Sequence, residues 1–235
     1  MDDLPVELLH EIAFDQPTYR ALLTIKRFAN SLTPATRYDY MIRFGYRVEI
    51  THNEIRWTLN GKLHRTDGPA IIYADGSQEW YVDDKLHRTD GSAVIWADGL
   101  HEWYIDGKRH RTDGPAFINA NGSQLWYIDD KRHRTDGPAV IYADGSQEWY
   151  IDGKHHRTDG PAVILADGSQ EWHVDDKLHR TDGPAVIYAD GTQAWYIDGK
   201  LHRTDGPAII DANGSQEWYI HGNQVTEQEF NNLKS

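Results

Sequence analysis

The sequence predicts a mainly β protein: an elongated single-layer antiparallel β-meander of stacked 23-residue hairpin repeats, preceded by a small helical domain and closed by a short capping helix. Three observations carry that reading. Eight tryptophans, Trp57, Trp80, Trp103, Trp126, Trp149, Trp172, Trp195 and Trp218, recur every 23 residues without insertion or deletion. A fixed period of this length marks stacked units, each burying its apolar surface only against its neighbours. Every full unit also holds two runs of strand-like residues separated by Asp-Gly turns, and residues 1–46 lack the period altogether.

In chain order, residues 1–46 read as helices. Asp3 caps the first, with Pro5 in its opening turn, where a missing N–H costs nothing. Leu8 with Ile12, and Leu9 with Ala13, share one face at i,i+4 spacing. A second helix is expected from Pro17, using Tyr19, Leu22, Leu23 and Ile25. The third has Thr33 as cap, Pro34 as first helical residue, Tyr38, Met41 and Ile42 as apolar face and Gly45 as stop. So short a segment buries little surface alone and needs something to lean on.

The leading motif, Leu4-Pro5-Val6-Glu7-Leu8-Leu9-His10-Glu11-Ile12, resembles the opening of an F-box, a three-helix module that docks onto the Skp-type adaptor of cullin-based ubiquitin ligases. The resemblance covers about 40 residues. It implies that Leu4, Pro5, Leu8, Leu9 and Ile12 contribute to an adaptor contact. Ala13 stands where a bulkier aliphatic residue is usual in that family, and Phe28 is nearest to its late tryptophan. The same helices also suit a plainer role, a cap sealing the open end of a repeat array.

From Arg47 the period becomes two. Val48-Glu49-Ile50-Thr51 reads as a strand, and Asn53 falls in the slot that later units give to glycine, where positive φ is expected. In the central copy, Ala139-Val140-Ile141-Tyr142-Ala143 is one expected strand, Asp144-Gly145 the turn, and Gln147-Glu148-Trp149-Tyr150-Ile151 the next strand, closed by Asp152-Gly153-Lys154. Thr-Asp-Gly-Pro then returns the chain, breaking the ladder because proline has no N–H to donate. Two strands per unit advance a sheet by roughly 10 Å, and the whole array by about 75 Å.

Period and residues across 47–222 resemble the MORN repeat family, whose units carry a Trp, a Gly-Lys-x-His, an aromatic strand and an Asp-Gly turn. Here Trp149 to Gly153 is four residues rather than the usual three, and Asp-Gly-Pro replaces the family's short glycine return. F-box-like and MORN-variant segments in one chain make it similar to F-box/MORN repeat proteins of large DNA viruses. After His221-Gly222-Asn223, which stands for the last Asp-Gly-Lys, residues 223–235 form the expected capping helix. Thr226 and Glu229 make a capping box, and Phe230 and Leu233 the apolar face.

Composition narrows the function classes. With no cysteine, neither disulfides nor thiolate metal sites are available. Five Lys/Arg against six Asp/Glu in residues 1–46 leave −12 of the net −13 on the rest of the chain. Such a surface disfavours nucleic acid and anionic membranes. No apolar run approaches a bilayer span, and Met1-Asp-Asp opens no secretory signal. The reading is a soluble, cytoplasmic protein, with the virion as alternative location.

His-Arg-Thr-Asp recurs seven times, as in His133-Arg134-Thr135-Asp136. Copies spaced roughly 10 Å apart cannot converge on one metal ion, whose ligands lie within about 2.0–2.3 Å. Catalysis needs one asymmetric constellation, and here each candidate group has six equivalents. Arg and Asp are therefore expected to pair within and between units while His bonds the return loop; no enzyme activity, cofactor or metal is expected. His155-His156 and His173 lie off the column, and thirteen histidines give acidification a handle.

The tryptophans read as core. Tyr104, Tyr127 and Tyr150, on the opposite strand face, are candidate partner-binding residues. Copies depart from consensus at Trp96, His101, Phe117, Asn119, Leu125, His173, Ala194, Asp211 and Ser92, so Trp96 and His173 join the candidates. The expected function is a protein–protein interaction adaptor, with a Skp-type adaptor at one end, a target protein on the repeats and self-association open. The alternative is a scaffolding repeat protein, a viral-particle component with the helices as a cap.

Overall fold

The computed structural model describes residues 37–41 and 46–233, with side chains from Arg47 onward. The first two expected helices, and Leu4, Pro5, Leu8, Leu9 and Ile12, lie outside the described residues. Two compact units divide the chain, residues 1–120 and 121–235.

In the first unit, Arg37–Met41 is a strand paired antiparallel with Tyr46–Thr51, where a third helix was expected. The physical reason is legible afterwards. Tyr38 and Tyr40 alternate with Arg37, Asp39 and Met41, a period-two pattern of strand-favouring residues. The ladder also satisfies an edge that Tyr46–Thr51 would otherwise leave open. Tyr46–Thr51 pairs in turn with Glu54–Leu59, which pairs with Ile71–Tyr73. The meander continues through Gln78–Glu79, Val94–Ile95, His101–Glu102 and Phe117–Ile118. Val48, Ile50, Ile55, Trp57 and Ile72 are buried and form its core. Asn53 does not adopt positive φ. Thr51 Oγ1 instead accepts the amides of Asn53 at 3.3 Å and Glu54 at 3.1 Å, so a side-chain turn replaces the glycine.

The second unit repeats the pattern more regularly. Gln124–Leu125, Val140–Ile141, Gln147–Glu148, Val163–Ile164, Gln170–Glu171, Val186–Ile187, Gln193–Ala194, Ile209–Ile210 and Gln216–Ile220 form an antiparallel meander. The last strand also pairs with Asn223–Val225. A row of buried alanines, Ala139, Ala162, Ala185 and Ala208, lies beside buried Val140, Val163 and Val186.

The expected strand is broken at six of the eight tryptophans; Trp57 and Trp218 lie within the continuous strands Glu54–Leu59 and Gln216–Ile220. Tyr150–Ile151 leaves the meander and pairs with Lys154–His155 in a separate two-stranded ladder, and the five other interrupted copies do the same. Tryptophan is the handover point. The Trp149 amide donates to Ala162 O in the meander at 2.7 Å, while its carbonyl accepts the His156 amide at 3.0 Å. Each interrupted repeat therefore builds two ladders rather than one.

The two turns of a repeat differ. In the side hairpin Asp152 (φ 51°) and Gly153 (φ 84°) are both left-handed, the pattern of a two-residue hairpin loop. In the meander turn only Gly145 is left-handed, at 91°. There Asp144 Oδ1 accepts the Ser146 amide at 2.8 Å, and Tyr142 N donates to Ser146 O at 2.9 Å. At the end, helix Glu227–Asn232 carries the expected capping box between Thr226 and Glu229. Phe230 is buried beneath it; Leu233, expected beside it, is 69% exposed.

Candidate functional site

The His-Arg-Thr-Asp segment is a structural clamp. Arg134 Nε donates to Asp136 Oδ1 at 2.8 Å and its Nη1 to the Pro138 carbonyl at 3.3 Å. The guanidinium lies 4.1 Å from the centre of the Trp126 ring. Gly137 is required for space rather than for φ, since a Cβ there would stand 3.1 Å from Arg134 Cζ. The six other full copies repeat this stack, at 3.9–4.3 Å. Pairing of Arg and Asp is thus within the unit, and histidine links one unit to the next. His133 Nδ1 is 3.1 Å from both the amide and Oδ1 of Asp152, in the following hairpin turn.

Open clefts form between successive clamps, one of about 420 Å³ between residues 157–160 and 179–182. Their walls are Arg–Asp pairs already bonded to each other. No group of three or more His, Asp and Glu among the described residues is placed to hold a metal ion. No described helix is long and apolar enough to cross a membrane.

The meander's register puts Val140, Glu148, Val163, Glu171, Val186 and Ala194 in one row. Around Glu148 the copies stop being equivalent. Glu148 accepts the hydroxyls of Tyr150 at 2.7 Å and Tyr142 at 3.1 Å. Arg132 lies 3.6 Å from it and donates to the Tyr150 hydroxyl at 2.9 Å. His155 Nε2 is 3.5 Å away, an electrostatic neighbour too distant for a well-formed hydrogen bond. That imidazole, then the tyrosine hydroxyls, hold the Glu148 carboxyl down to about 2 against the opposing effect of burial. Burial, then the carboxylate, pushes the Tyr150 hydroxyl up. One repeat further, His173 Nε2 sits 2.8 Å from Glu171 Oε2, and this contact lowers Glu171. The His155 and His173 rings are 5.2 Å apart, and His155 Nε2 and His173 Nδ1 are buried without a hydrogen-bond partner.

This network relocates the candidates named from the sequence. Tyr150 is 7% exposed and commits its hydroxyl internally, so it belongs to the core. Tyr104 is half-buried with its hydroxyl on Glu102 at 2.9 Å, Tyr127 is half-buried beside Arg132, and His173 is committed to Glu171. Only Trp96 keeps an exposed ring, stacked on Tyr73 with centroids 5.9 Å apart. Several departures from consensus turn out to compensate each other internally: Ser92 Oγ meets His101 Nδ1 at 3.2 Å.

The exposed large apolar side chains of the repeats are Trp96, Leu165 and Tyr188, all at one repeat position. Sequence reasoning named only the first. The signal for the others was available in two substitutions. Tyr142 is tied to Glu148 by its hydroxyl, but Leu165 has no hydroxyl, and in the repeat of Tyr188 the place of that glutamate is taken by Ala194. Compared with known proteins, the chain matches no family model and no curated protein.

Proposed function

We propose that this chain is a protein–protein interaction adaptor. Its F-box-like segment recruits a Skp-type ubiquitin-ligase adaptor through Leu4, Pro5, Leu8, Leu9 and Ile12, and its MORN-variant repeats hold a target protein in the cytoplasm. The observation that carries the repeat half is that Trp96 in the first unit, and Leu165 and Tyr188 in the second, are exposed at the same repeat position, on repeats whose other polar groups are largely spent on one another. Exposed aromatic and aliphatic residues aligned at one repeat position mark interaction surface more often than chemistry.

The identical clamp in every copy favours a second reading, a scaffolding repeat protein of a viral particle with the helical segment as a cap. Co-purification of the full-length chain with a Skp-type adaptor separates the two. Wild-type protein is expected to retain the adaptor, and the double change Leu8→Asp with Leu9→Asp to lose it while the repeats melt as before. Failure of the wild type to bind, or binding indifferent to that change, would sink the adaptor reading; recovery of the protein from purified particles would support the scaffold.

A further inference from the structure

In the repeats of the second unit the lysines and arginines are confined to the return segments, while the acidic residues occur on every segment. Residues 139–153, 162–176 and 185–199 contain no lysine or arginine, while Lys131, Arg132, Arg134, Lys154, Arg157, Lys177 and Arg180 all fall on the return segments. The meander turns are exposed and carry Asp144, Asp167 and Asp190. Each accepts a hydrogen bond only from its own turn, from the amides of Ser146, Ser169 and Thr192 at 2.8 Å. The clamp aspartates differ, since Asp136, Asp159 and Asp182 each pair with an arginine. Two residues before these turn aspartates stand Tyr142, Leu165 and Tyr188. One edge of the meander thus offers apolar side chains beside carboxylates that no cation of the described residues neutralises.

We propose that this edge, Tyr142, Leu165 and Tyr188 with Asp144, Asp167 and Asp190, binds a basic segment of a partner protein that carries apolar side chains between its lysines or arginines. The proposal rests on the reading that the repeats hold a target, and it names the target's chemistry. Charge complementarity selects a cationic partner: an acidic one would meet three carboxylates, and a purely apolar one would strip water from them without replacing it. Aromatic Tyr188, half of its surface open, also suits a cation over its face. Spacing adds a register. Tyr142, Leu165 and Tyr188 are two strands apart, roughly 10 Å, which three residues of extended chain span. A partner segment in the polyproline II conformation, with three residues per turn, would therefore place an apolar side chain at every third position on one face.

The test uses the full-length chain and two labelled synthetic peptides of equal charge, five repeats of Leu-Lys-Lys and five of Ser-Lys-Lys. The leucine peptide is expected to bind at least tenfold more tightly. Leu165→Ser with Tyr188→Ser should erase that difference. Asp167→Asn with Asp190→Asn should weaken both peptides severalfold, whereas Asp152→Asn with Asp175→Asn, an equal change of charge on the side-hairpin turns, should leave both unchanged. Equal binding of the two peptides, no binding of either, or an equal loss from the side-hairpin pair would overturn the proposal, the last by showing mere attraction to an acidic protein. None of these outcomes depends on the Skp-type adaptor, so failure of one reading is distinguishable from failure of the other.

Discussion

The return loop and the meander row meet the same requirement, satisfying charged groups at the edge of a core, and they meet it differently. In the loop every full copy uses one solution: arginine over tryptophan, bonded to the next aspartate at 2.7–2.8 Å and to a backbone carbonyl. In the row the solutions change. Glu102 takes Arg109 from its own repeat. Leu125 replaces the glutamate that would serve Arg132, and Arg132 turns to the next repeat's Tyr150 and Glu148. Glu171 takes His173, and Glu217 takes Gln224 at 3.1 Å. The difference teaches what each place demands. The clamp depends on backbone geometry, since its glycine fits under the guanidinium and its carbonyl is an acceptor, so nothing else substitutes. The row demands only that a carboxylate have a donor, and many pairs of residues provide one.

The largest effect that would sharpen this comparison is on the clamp. Arg157→Ala removes the stack on Trp149 at 4.1 Å and the donor to the Pro161 carbonyl at 3.2 Å. It should cost about 2–3 kcal/mol in urea denaturation. Arg157→Lys should recover less than half of that, because an ammonium lacks the planar fork that stacks and bridges at once. Full recovery by lysine would mean that charge, not shape, holds the loop.

The row should respond less, and with a pH signature. Glu148→Gln is expected to cost about 1–2 kcal/mol at pH 7, as charged hydrogen bonds become neutral ones. The sign follows from the depressed carboxyl: folded at about 2 against an ordinary 4.5, Glu148 stabilises the protein above the ordinary value. That contribution fades as pH falls from 4.5 towards 2, so the wild-type advantage over Glu148→Gln should close across the same window. A gap unchanged between pH 7 and 2.5 would place the stabilisation in packing rather than in charge.

The same contrast marks what the sequence could disclose. The period, the meander, the positions of the Asp144-Gly145 and Asp152-Gly153 turns and the Thr226 capping box were legible because each is a local rule repeated or complete within a few residues, although the two-residue left-handed pair expected at Asp144-Gly145 occurs at Asp152-Gly153. The break at tryptophan was not, because residues 147–151 alternate as one strand; the switch of ladders is set by which carbonyl the Trp149 amide meets, Ala162 O, thirteen residues on. The strand at Arg37–Met41 was misread for a similar reason: Thr33-Pro34 is a strong local helix start, and the competing partner Tyr46–Thr51 lies beyond that window. Among site residues, Tyr150 looked like surface because its burial comes from Glu148 and Arg132 jointly, and Arg132 is eighteen residues away. Leu165 and Tyr188 were visible as letters, but their exposure becomes meaningful only once Tyr142 is known to be tied down.

The smallest expected effect is the one that decides whether the clamp is an ion pair at all. Asp159 lies 2.8 Å from Arg157 Nε, and that bond lowers its carboxyl, yet the side chain is largely in water. An exposed pair gains little, because solvent screens it and each partner is nearly as well satisfied by water. Arg157, in contrast, is already positioned by Trp149 and by the Pro161 carbonyl, so the carboxylate adds a contact to a group that would stay in place without it. Asp159→Asn should therefore leave the denaturation midpoint at neutral pH within experimental scatter, at low and at high salt alike. If it destabilised the protein as much as Arg157→Ala, the seven clamps would be electrostatic devices. The contrast between a geometric loop and an electrostatic row would then collapse.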